Sequence, residues 1–352
     1  MDRLKTNYNG IDLYQAGLPD FPRNFTRDSI VSALILKDSK MLKNQLKFSA
    51  LNQGKVKNPL TGEEPGKIHH EYPGVLWNGL NTQYNACDTT ALFLIGHDYY
   101  QKWTGDLSLA ESQKEEIKNA VEYIKNHLDN DYLFFEDPKL CGASRFALKV
   151  TYWKDSEILD REDGQPIYPV VYTLAHIQNL SGIRAAGRIL GSKDLINLGE
   201  KMKAALNKLL DPSSNIFYLA LDSKGPIKGI SSDLLHELFY LDNKDLSIEQ
   251  INAIENASLE LETTIGYRTL SPKIIVKDVY HSETVWPFEQ AIIHIGAKKF
   301  NLKKIQEVSS RILKVLDTDH EFFLLSKDNI KKSGCNPQLW TIAAKHYFDS
   351  IK

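Results

Sequence analysis

The sequence contains few cysteines and no long apolar run. Only 3 of 352 residues are cysteine, namely Cys87, Cys141 and Cys335. This number is too small for a disulfide framework, the spacing does not match a zinc site, and sparse cysteine is typical of a reducing compartment. No run of about 18 apolar residues is available for a membrane-spanning helix, and the first residues lack the apolar segment of a signal peptide. We therefore expect a soluble, cytoplasmic protein with no membrane partner.

A surplus of charge is also absent. Lys and Arg number 43, Asp and Glu number 45, and the formal net charge is −2. Nucleic acids and polybasic membrane contacts require an excess of Lys and Arg, so we expect no nucleic-acid partner. With 42% hydrophobic and 25% charged residues, the composition is typical of a globular protein and does not specify its chemistry.

Several widespread catalytic and cofactor motifs are missing. The sequence has no Gly-x-Gly-x-x-Gly, Walker-type loop, Gly-x-Ser-x-Gly, His-Glu-x-x-His or Cys-x-x-Cys. These absences argue against nucleotide cofactors, serine-hydrolase chemistry and common zinc hydrolysis. His69, His70 and Glu71 are adjacent, so they do not share one helix face as a helical zinc motif requires. We expect no metal and no other cofactor.

Helical periodicity dominates the chain. Ile117, Val121, Ile124 and Leu128 recur at the spacing of one helix face. Comparable patterns cover 27–50, 82–104, 169–191, 194–210, 229–240, 248–258, 284–297, 300–315 and 336–349. Short strand signals occur only near 132–135, 216–219 and 273–276, with no alternation of strands and helices. The pattern predicts about ten helices in one all-α domain that spans residues 1–352.

Aromatic and histidine residues concentrate in the segments between the helical patterns. The least regular segments are 51–80, 135–168, 260–283 and 317–336, and loops of this length are usually functional when they are not disordered. Four of the five tryptophans, Trp77, Trp153, Trp286 and Trp340, lie in or beside these segments. Tryptophan is usually a core residue, but its face also stacks on sugar rings, so this concentration favours a binding cleft.

Three charged residues lie where helical patterns begin. Arg27 and Asp28 open one pattern, and Asp88 opens another. Each acidic residue has an ordinary role as a helix cap. Alternatively, Arg27 supplies donors and Asp28 supplies acceptors for adjacent hydroxyl groups, with Asp88 as a further substrate contact.

Further carboxylates accompany the tryptophans. Asp155 and Glu157 follow Trp153, and an apolar neighbour can raise the pKa of a carboxyl group, as a general acid requires. The alternative is an exposed loop charge. The remaining candidates are His281, Glu283 and Trp286 at a helix start and Glu321 ahead of an apolar run.

The ordered set of these segments resembles a known family. It is similar to the C-terminal glucosidase domain of glycogen debranching enzymes and to bacterial amylo-α-1,6-glucosidase-like proteins, within the six-hairpin glycosidases. The matching elements, between about residues 14 and 345, are Ala16-Gly-Leu-Pro, Phe25-Thr-Arg-Asp-Ser, Gly66-Lys-Ile-His-His-Glu, Tyr84-Asn-Ala-Cys-Asp-Thr-Thr, Tyr152-Trp-Lys-Asp, Gly266-Tyr-Arg-Thr-Leu-Ser-Pro, Tyr280-His followed by Thr284-Val-Trp-Pro, and Gly334-Cys-Asn-Pro-Gln-Leu-Trp. Each element is weak alone, and their common order carries the resemblance.

The resemblance implies a fold and a reaction. The fold is an (α/α)6 barrel of six inner and six outer helices, with the site where the inner helices begin. The reaction is hydrolysis of the α-glucosidase type, with inversion at the anomeric carbon. The substrate is a small molecule or an oligosaccharide that carries an α-linked terminal sugar. Asp155 matches the general acid and Glu321 the general base. Arg27 and Asp28 match the pair that holds the terminal sugar, and Glu71 and Asp88 fall at substrate-site positions.

Departures from the family pattern keep alternatives open. His320 precedes Glu321 where the family usually has Pro, so Glu283 is an alternative base, and Glu157 is an alternative acid. One competing function is a sugar epimerase on the same barrel. Its candidate histidines are His69, His70, His176 and His281. Another is a catalytically silent carbohydrate-binding protein. The sequence specifies no oligomeric partner.

Overall fold

Twelve α-helices are the main elements of the part of the chain that the computed structural model describes, which is residues 1–155, 166–274, 280–326 and 329–351. They are α1 (Thr26–Leu36), α2 (Ser39–Leu51), α3 (Thr89–Thr104), α4 (Ser108–Ser112), α5 (Lys114–Asn126), α6 (Thr173–Ile189), α7 (Lys193–Ala205), α8 (Asp233–Tyr240), α9 (Ile248–Ser258), α10 (Pro287–Lys299), α11 (Lys303–Ser310) and α12 (Leu339–Ser350).

Six of these helices form a closed inner ring. Along the chain, α1 packs against α3, α3 against α6, α6 against α8, α8 against α10 and α10 against α12, and α12 closes the ring against α1. The helices between them lie outside: α2 packs on α1 and α3, α5 on α3 and α6, and α7, α9 and α11 on α6, α8 and α10. This alternation of inner and outer helices is an (α/α)6 barrel, as the resemblance implied.

The inner helices are buried over most of their length. In α1, every residue from Thr26 to Ile35 is buried, and α8 is buried throughout. The outer helix α5 instead buries one apolar stripe that includes Ile117, Val121 and Ile124, as expected for a helix with one face in water. Polar residues in the inner ring therefore need partners inside the protein.

Short antiparallel strands lie in the segments between the helices. They are β1 (Lys5–Tyr8), β2 (Ile11–Tyr14), β3 (Asn24–Phe25), β4 (Glu71–Tyr72), β5 (Leu76–Trp77), β6 (Leu80–Asn81), β7 (Val170–Tyr172), β8 (Ala220–Asp222), β9 (Gly225–Ile227), β10 (Glu262–Thr263), β11 (Gly266–Tyr267), β12 (Thr284–Val285), β13 (Phe322–Ser326) and β14 (Asn329–Ser333). They pair as β1–β2, β3–β4, β5–β6, β7–β8–β9, β10–β11 and β12–β13–β14.

The predicted helices differ from the observed ones at two places. The pattern over 27–50 is two helices, because Lys37 adopts a left-handed conformation at φ 54° and the Asp38 side chain then accepts a hydrogen bond from the Met41 amide to start α2. The short α4 was not predicted. Its five residues are too few to display a helical repeat.

The predicted strands were less accurate. The segments 132–135 and 216–219 form only the isolated bridges Leu128–Phe134 and Leu210–Phe217, and 273–276 lies partly outside the described residues. The hairpin β13–β14 was missed inside the segment 317–336. Its second strand, Asn-Ile-Lys-Lys-Ser, is mostly polar and has little of the sequence signal of a strand.

Membrane insertion through a helix finds no support in the described part of the chain. None of its helices is both long enough and apolar enough to cross a bilayer.

Close approach of α10 to α8 gives a stability prediction. A Cβ atom at Gly296 would lie 2.8 Å from the Leu238 carbonyl carbon and 2.8 Å from the Phe239 nitrogen. We expect Gly296→Ala to lower the free energy of unfolding by about 1–3 kcal/mol, since the two backbones have to separate. Urea denaturation measures this loss. Lys298→Ala, at an exposed position of the same helix, is the control and should change stability little; a stabilised Gly296→Ala variant would contradict the packing argument.

Candidate active site

A narrow cavity lies at the end of the ring where the inner helices begin. Eight of the residues that the sequence singled out line it: Arg27, Asp28, Trp153, Asp155, His281, Trp286, Glu321 and Trp340. Its free volume is about 40 Å³, which holds a few water molecules at most. A ligand the size of a sugar ring would have to move some of the surrounding side chains outward.

The pairing of β3 with β4 forms one wall. Phe25 lies opposite Glu71 in this pair, and the Thr26 amide donates a hydrogen bond to the His70 carbonyl over 2.9 Å. The Phe25 and His70 rings then meet edge to face with centroids 5.2 Å apart. Because α1 starts immediately after β3, this pairing sets its first turn beside the 66–72 loop.

Arg27 is held by a buried ion pair with Asp88 at the start of α3. Its Nε lies 2.7 Å from Oδ2 and its Nη2 lies 2.9 Å from Oδ1, and both side chains are almost fully buried. Burial alone would lower the pKa of Arg27, but Asp88 raises it above the usual value. This bidentate geometry fixes the guanidinium plane at the cavity.

Asp28 is buried beside this pair. Burial raises the pKa of its carboxyl group to about 8, although the Arg27 charge acts in the opposite direction. At neutral pH the group is therefore mostly protonated and can donate a hydrogen bond as well as accept one.

Glu321 reaches the cavity through the β12–β13 pairing. Val285 lies opposite Phe323, which brings the 280–286 segment against Glu321. The Tyr280 hydroxyl donates a hydrogen bond to Oε1 at 2.5 Å, and the Cys335 amide donates one to Oε2 at 2.9 Å. The carboxyl group therefore has a defined orientation in the cavity wall.

A glycine is required beside this carboxylate. Gly334 has a φ of +73°, and a Cβ atom there would lie 2.6 Å from the Glu321 Cβ. No other residue would leave space for the Glu321 side chain at this turn, because a side chain at this φ is strained as well as crowded.

The environment of Glu321 changes its acidity. Burial raises the pKa of the carboxyl group to about 7, and the Asp155 charge adds to this rise, while the hydrogen bonds from Tyr280 and Cys335 act against it. Asp155 itself is exposed. The cavity thus presents two buried carboxyl groups, Asp28 and Glu321, and the solvent-accessible carboxyl group of Asp155.

Packed aromatic rings form the remaining walls. Trp286 stacks on Phe322 with centroids 4.8 Å apart and on His281 at 5.5 Å. Trp340 stacks on Phe288 at 4.0 Å and meets Trp286 edge to face. Burial lowers the pKa of His281 to about 3, so its ring is neutral near pH 7.

Besides His70 Nδ1, two polar atoms in the walls have no hydrogen-bond partner among the described residues. These are the indole Nε1 of Trp340 and Oε1 of Gln338, both buried. Both residues line the cavity. A buried donor and a buried acceptor without partners are costly, so these two atoms are suited to a ligand that offers hydroxyl groups.

Four predicted site residues do not line the cavity. The Glu71 carboxylate pairs with Arg23 and accepts from Thr82, so it belongs to the support of the wall. Asp88 acts on the cavity only through Arg27. Trp77 lies on β5 and is 57% exposed, and Glu283 is exposed beside β12. The alternative acid Glu157 lies outside the described residues.

The cavity also contains residues that the site prediction omitted. Phe21, Tyr280 and Gln338 line it. Tyr280 and Gln338 lie inside segments that carried the family resemblance. The sequence does not show that these two residues lie close to Glu321, so the site prediction omitted them. His70, a candidate of the epimerase alternative, lines the cavity as well, but His69 does not. His176 is held elsewhere by the Phe134 amide and the Met202 carbonyl.

One group of described residues has the composition of a metal site. Ligand atoms of Asp233, His236 and Glu289, all buried, lie within 4.8 Å of one another. However, the Lys154 ammonium group already lies 2.9 Å from Asp233 Oδ1. This resident cation would repel a metal ion, so the group fits an internal ion pair better.

Comparison of the fold with solved structures supports the barrel assignment. The crystal structure of a GH63 mannosylglycerate hydrolase from Thermus thermophilus in complex with Tris has a TM-score of 0.71 and 11% sequence identity, and the match covers 98% of this chain and 97% of that chain. A complex of the same hydrolase with glucose gives a TM-score of 0.69 at 11% identity, covering 96% of this chain and 95% of that chain.

A third match extends the similarity to another glycosidase type. The GH78 family rhamnosidase of Bacillus sp. GL1 has a TM-score of 0.61 at 13% identity, and the match covers 94% of this chain but 32% of the longer rhamnosidase chain. No protein-family sequence model matches this chain, and no curated relative matches it by sequence. The chain therefore shares the (α/α)6 barrel fold of these structures, and identities this low establish the fold alone.

The Arg27–Asp88 pair gives a second stability prediction. Asp88→Asn leaves a buried guanidinium without its counter-ion, and we expect the free energy of unfolding to fall by about 3–5 kcal/mol. Chemical denaturation measures the loss. The control is Glu115→Gln, which removes the exposed pair with Lys118 and should cost less than about 1 kcal/mol. Equal losses in the two variants would show that burial of the Arg27 pair has no special role.

Proposed function

We propose that this protein is a glycoside hydrolase whose catalytic pair is Asp155 and Glu321. The observation that carries the proposal is that these two carboxyl groups, distant in sequence, line one cavity together with Trp153, Trp286 and Trp340. Two carboxyl groups beside aromatic faces are the general requirement for glycosidic bond cleavage and for binding a sugar ring. The barrel similarity to known glycosidases is consistent with this chemistry.

The proposed reaction inverts the anomeric carbon. Asp155 donates its proton to the leaving oxygen as the C–O bond breaks, and Glu321 accepts a proton from the water that attacks the opposite face. An inverting site holds its carboxyl groups roughly 6.5–9.5 Å apart to admit this water. Solvent access allows Asp155 to regain its proton between turnovers.

The proposed roles agree with the acidity of Glu321. A carboxylate with a pKa of about 7 is a stronger base than an ordinary glutamate, and general-base catalysis is most efficient when the pKa is near the working pH. Tyr280 and Cys335 orient the carboxylate so that one oxygen can face the water. Glu283 is the weaker candidate for the base because its exposed position does not line the cavity.

The finer proposal is an exo-acting α-glucosidase similar to amylo-α-1,6-glucosidases. It rests on the ordered motifs along the chain, and α-mannosides are included as competing substrates because a mannosylglycerate hydrolase has the same fold. Arg27, Asp28 and the unpartnered Trp340 Nε1 would bind hydroxyl groups of a terminal sugar. A narrow cavity closed by aromatic residues suits a chain end better than the interior of a polymer.

An epimerase is less well supported. His70 and His281 both line the cavity, but burial lowers the pKa of both rings, that of His281 to about 3. Rings with so low a pKa are weak bases, and in the neutral form they are very weak acids, so they are poorly suited to proton transfer at carbon near pH 7.

A substrate panel with stereochemical analysis tests the proposal. The purified protein is incubated with α-glucosides and α-mannosides, including maltose, isomaltose and mannosylglycerate, and NMR follows the released sugar and its first-formed anomer. We expect one sugar class to be hydrolysed with the β-anomer appearing first. Asp155→Asn should lower the rate by roughly 10²- to 10⁴-fold, the usual contribution of a general acid, while sugar binding remains measurable.

Three outcomes would contradict this proposal in different ways. Release of the α-anomer first would exclude inversion, and full activity of Asp155→Asn would exclude the acid assignment. Sugar binding without hydrolysis by the wild-type protein would favour the silent carbohydrate-binding alternative.

The acidity of Glu321 predicts the pH dependence. As the base, Glu321 has to be ionised, so kcat/KM on a substrate that needs no proton from Asp155, such as an α-glycosyl fluoride, should rise with pH and reach half its plateau near pH 7, where the pKa of the group lies. The kcat/KM profile reports groups of the free enzyme, and it is measured for the fluoride of the sugar that the panel selects. Glu321→Gln provides the inactive control. A fluoride profile that does not rise as pH increases through 7 would contradict the assignment of Glu321 as the base.

A further inference from the structure

The side chain of Asp233 accepts hydrogen bonds from three consecutive residues. Asp233 begins α8, and its Oδ2 accepts from the Tyr152 hydroxyl over 2.9 Å. Its Oδ1 accepts from the Trp153 indole at 3.0 Å and from the Lys154 ammonium at 2.9 Å. The next residue along the chain is Asp155. One buried carboxylate therefore anchors the whole segment that leads to the proposed acid.

The Lys154 side chain strengthens this anchor. It is only 2% exposed, and its ammonium group also donates to Ser231 Oγ at 2.7 Å and to Ser232 Oγ at 3.1 Å. The same ammonium lies 4.6 Å from the centroid of the Trp153 ring. Lysine is rarely buried unless paired, so Lys154 and Asp233 hold each other in place.

We propose that Asp233 is a positioning residue for Asp155. It fixes the indole of Trp153, the ammonium of Lys154 and the backbone direction between them, so that the Asp155 carboxyl group points at the leaving oxygen. The inference rests on the proposed hydrolysis and extends it to a residue that does not itself touch the reacting atoms. Productive general-acid geometry tolerates little displacement.

The charge of Asp233 is part of this role. Burial alone would raise its pKa, but the charge and hydrogen bond of Lys154 lower it below the usual value, so the group is an anion that can accept all three bonds. An asparagine has the same size but only one acceptor oxygen. It would leave the Lys154 ammonium buried without its counter-ion.

Substrates with different leaving groups test this role in Asp233→Asn. Departure of methanol from a methyl α-glycoside requires protonation by the acid, whereas fluoride departs from an α-glycosyl fluoride with little help. We expect kcat on methyl α-D-glucopyranoside to fall roughly 10- to 100-fold, as misplaced catalytic groups cause, while kcat on α-D-glucopyranosyl fluoride changes less than about threefold. The mannose counterparts replace both probes if the panel selects mannose.

The control variants calibrate this comparison. Asp155→Asn should give the same selective loss with a larger magnitude, and Glu321→Gln should lose activity on both substrates because both need the attacking water. Asp194→Asn removes an exposed carboxylate from the first turn of α7 and should change neither rate. A merely structural role of Asp233 would lower both rates by the same factor, and that result, or no loss at all, would overturn the inference.

A milder variant keeps the test decisive if Asp233→Asn does not fold. Tyr152→Phe removes one of the three donors and preserves the stacking of this ring on Tyr172, whose centroid is 4.9 Å away. Tyr152 does not line the cavity. We expect a several-fold loss on the methyl glycoside alone, and an equal change on both probes would overturn the positioning role. Failure of the wild-type protein to cleave either probe would instead overturn the proposed function.

Discussion

Charge buried inside the ring of helices has to be paired, and this constraint organises the end of the barrel that holds the cavity. Arg27 is neutralised by Asp88 at the start of α3, and Lys154 by Asp233 at the start of α8. An unpaired charge in such surroundings would cost several kcal/mol. Each ion pair therefore connects a cavity segment with the first turn of an inner helix. These connections hold the cavity walls in place on the ring.

The same burial sets the chemistry of the cavity. Low exposure raises the pKa of the Asp28 and Glu321 carboxyl groups and lowers that of His281. The result is a site with neutral rings, protonatable acids and one fixed guanidinium, which suits an uncharged polyhydroxylated ligand better than an ionic one. Asp155 differs because it is exposed, so the two carboxyl groups of the proposed catalytic pair have unlike surroundings.

Much of the barrel was predictable because helical repeats are local. The spacing of Ile117, Val121 and Ile124 predicts a helix without knowledge of any other segment, and these residues are buried on one face of α5. Strands depend on a pairing partner that the residue pattern does not specify, so they were predicted poorly. The polar strand β14 is stable because β13 pairs with it, and neither sequence pattern nor composition indicates that pairing.

The sequence by itself determined most of the helices along the chain and identified eight of the residues that line the cavity, because periodicity and motif order are properties of the chain. Tertiary structure alone decided that Glu321 lies against Tyr280, that Asp88 pairs with Arg27, and that Asp233 binds the residues before Asp155. These contacts join segments far apart along the chain, and closure of the ring brings them together. For the same reason Trp77 and Glu283, equally plausible by residue type, lie outside the cavity.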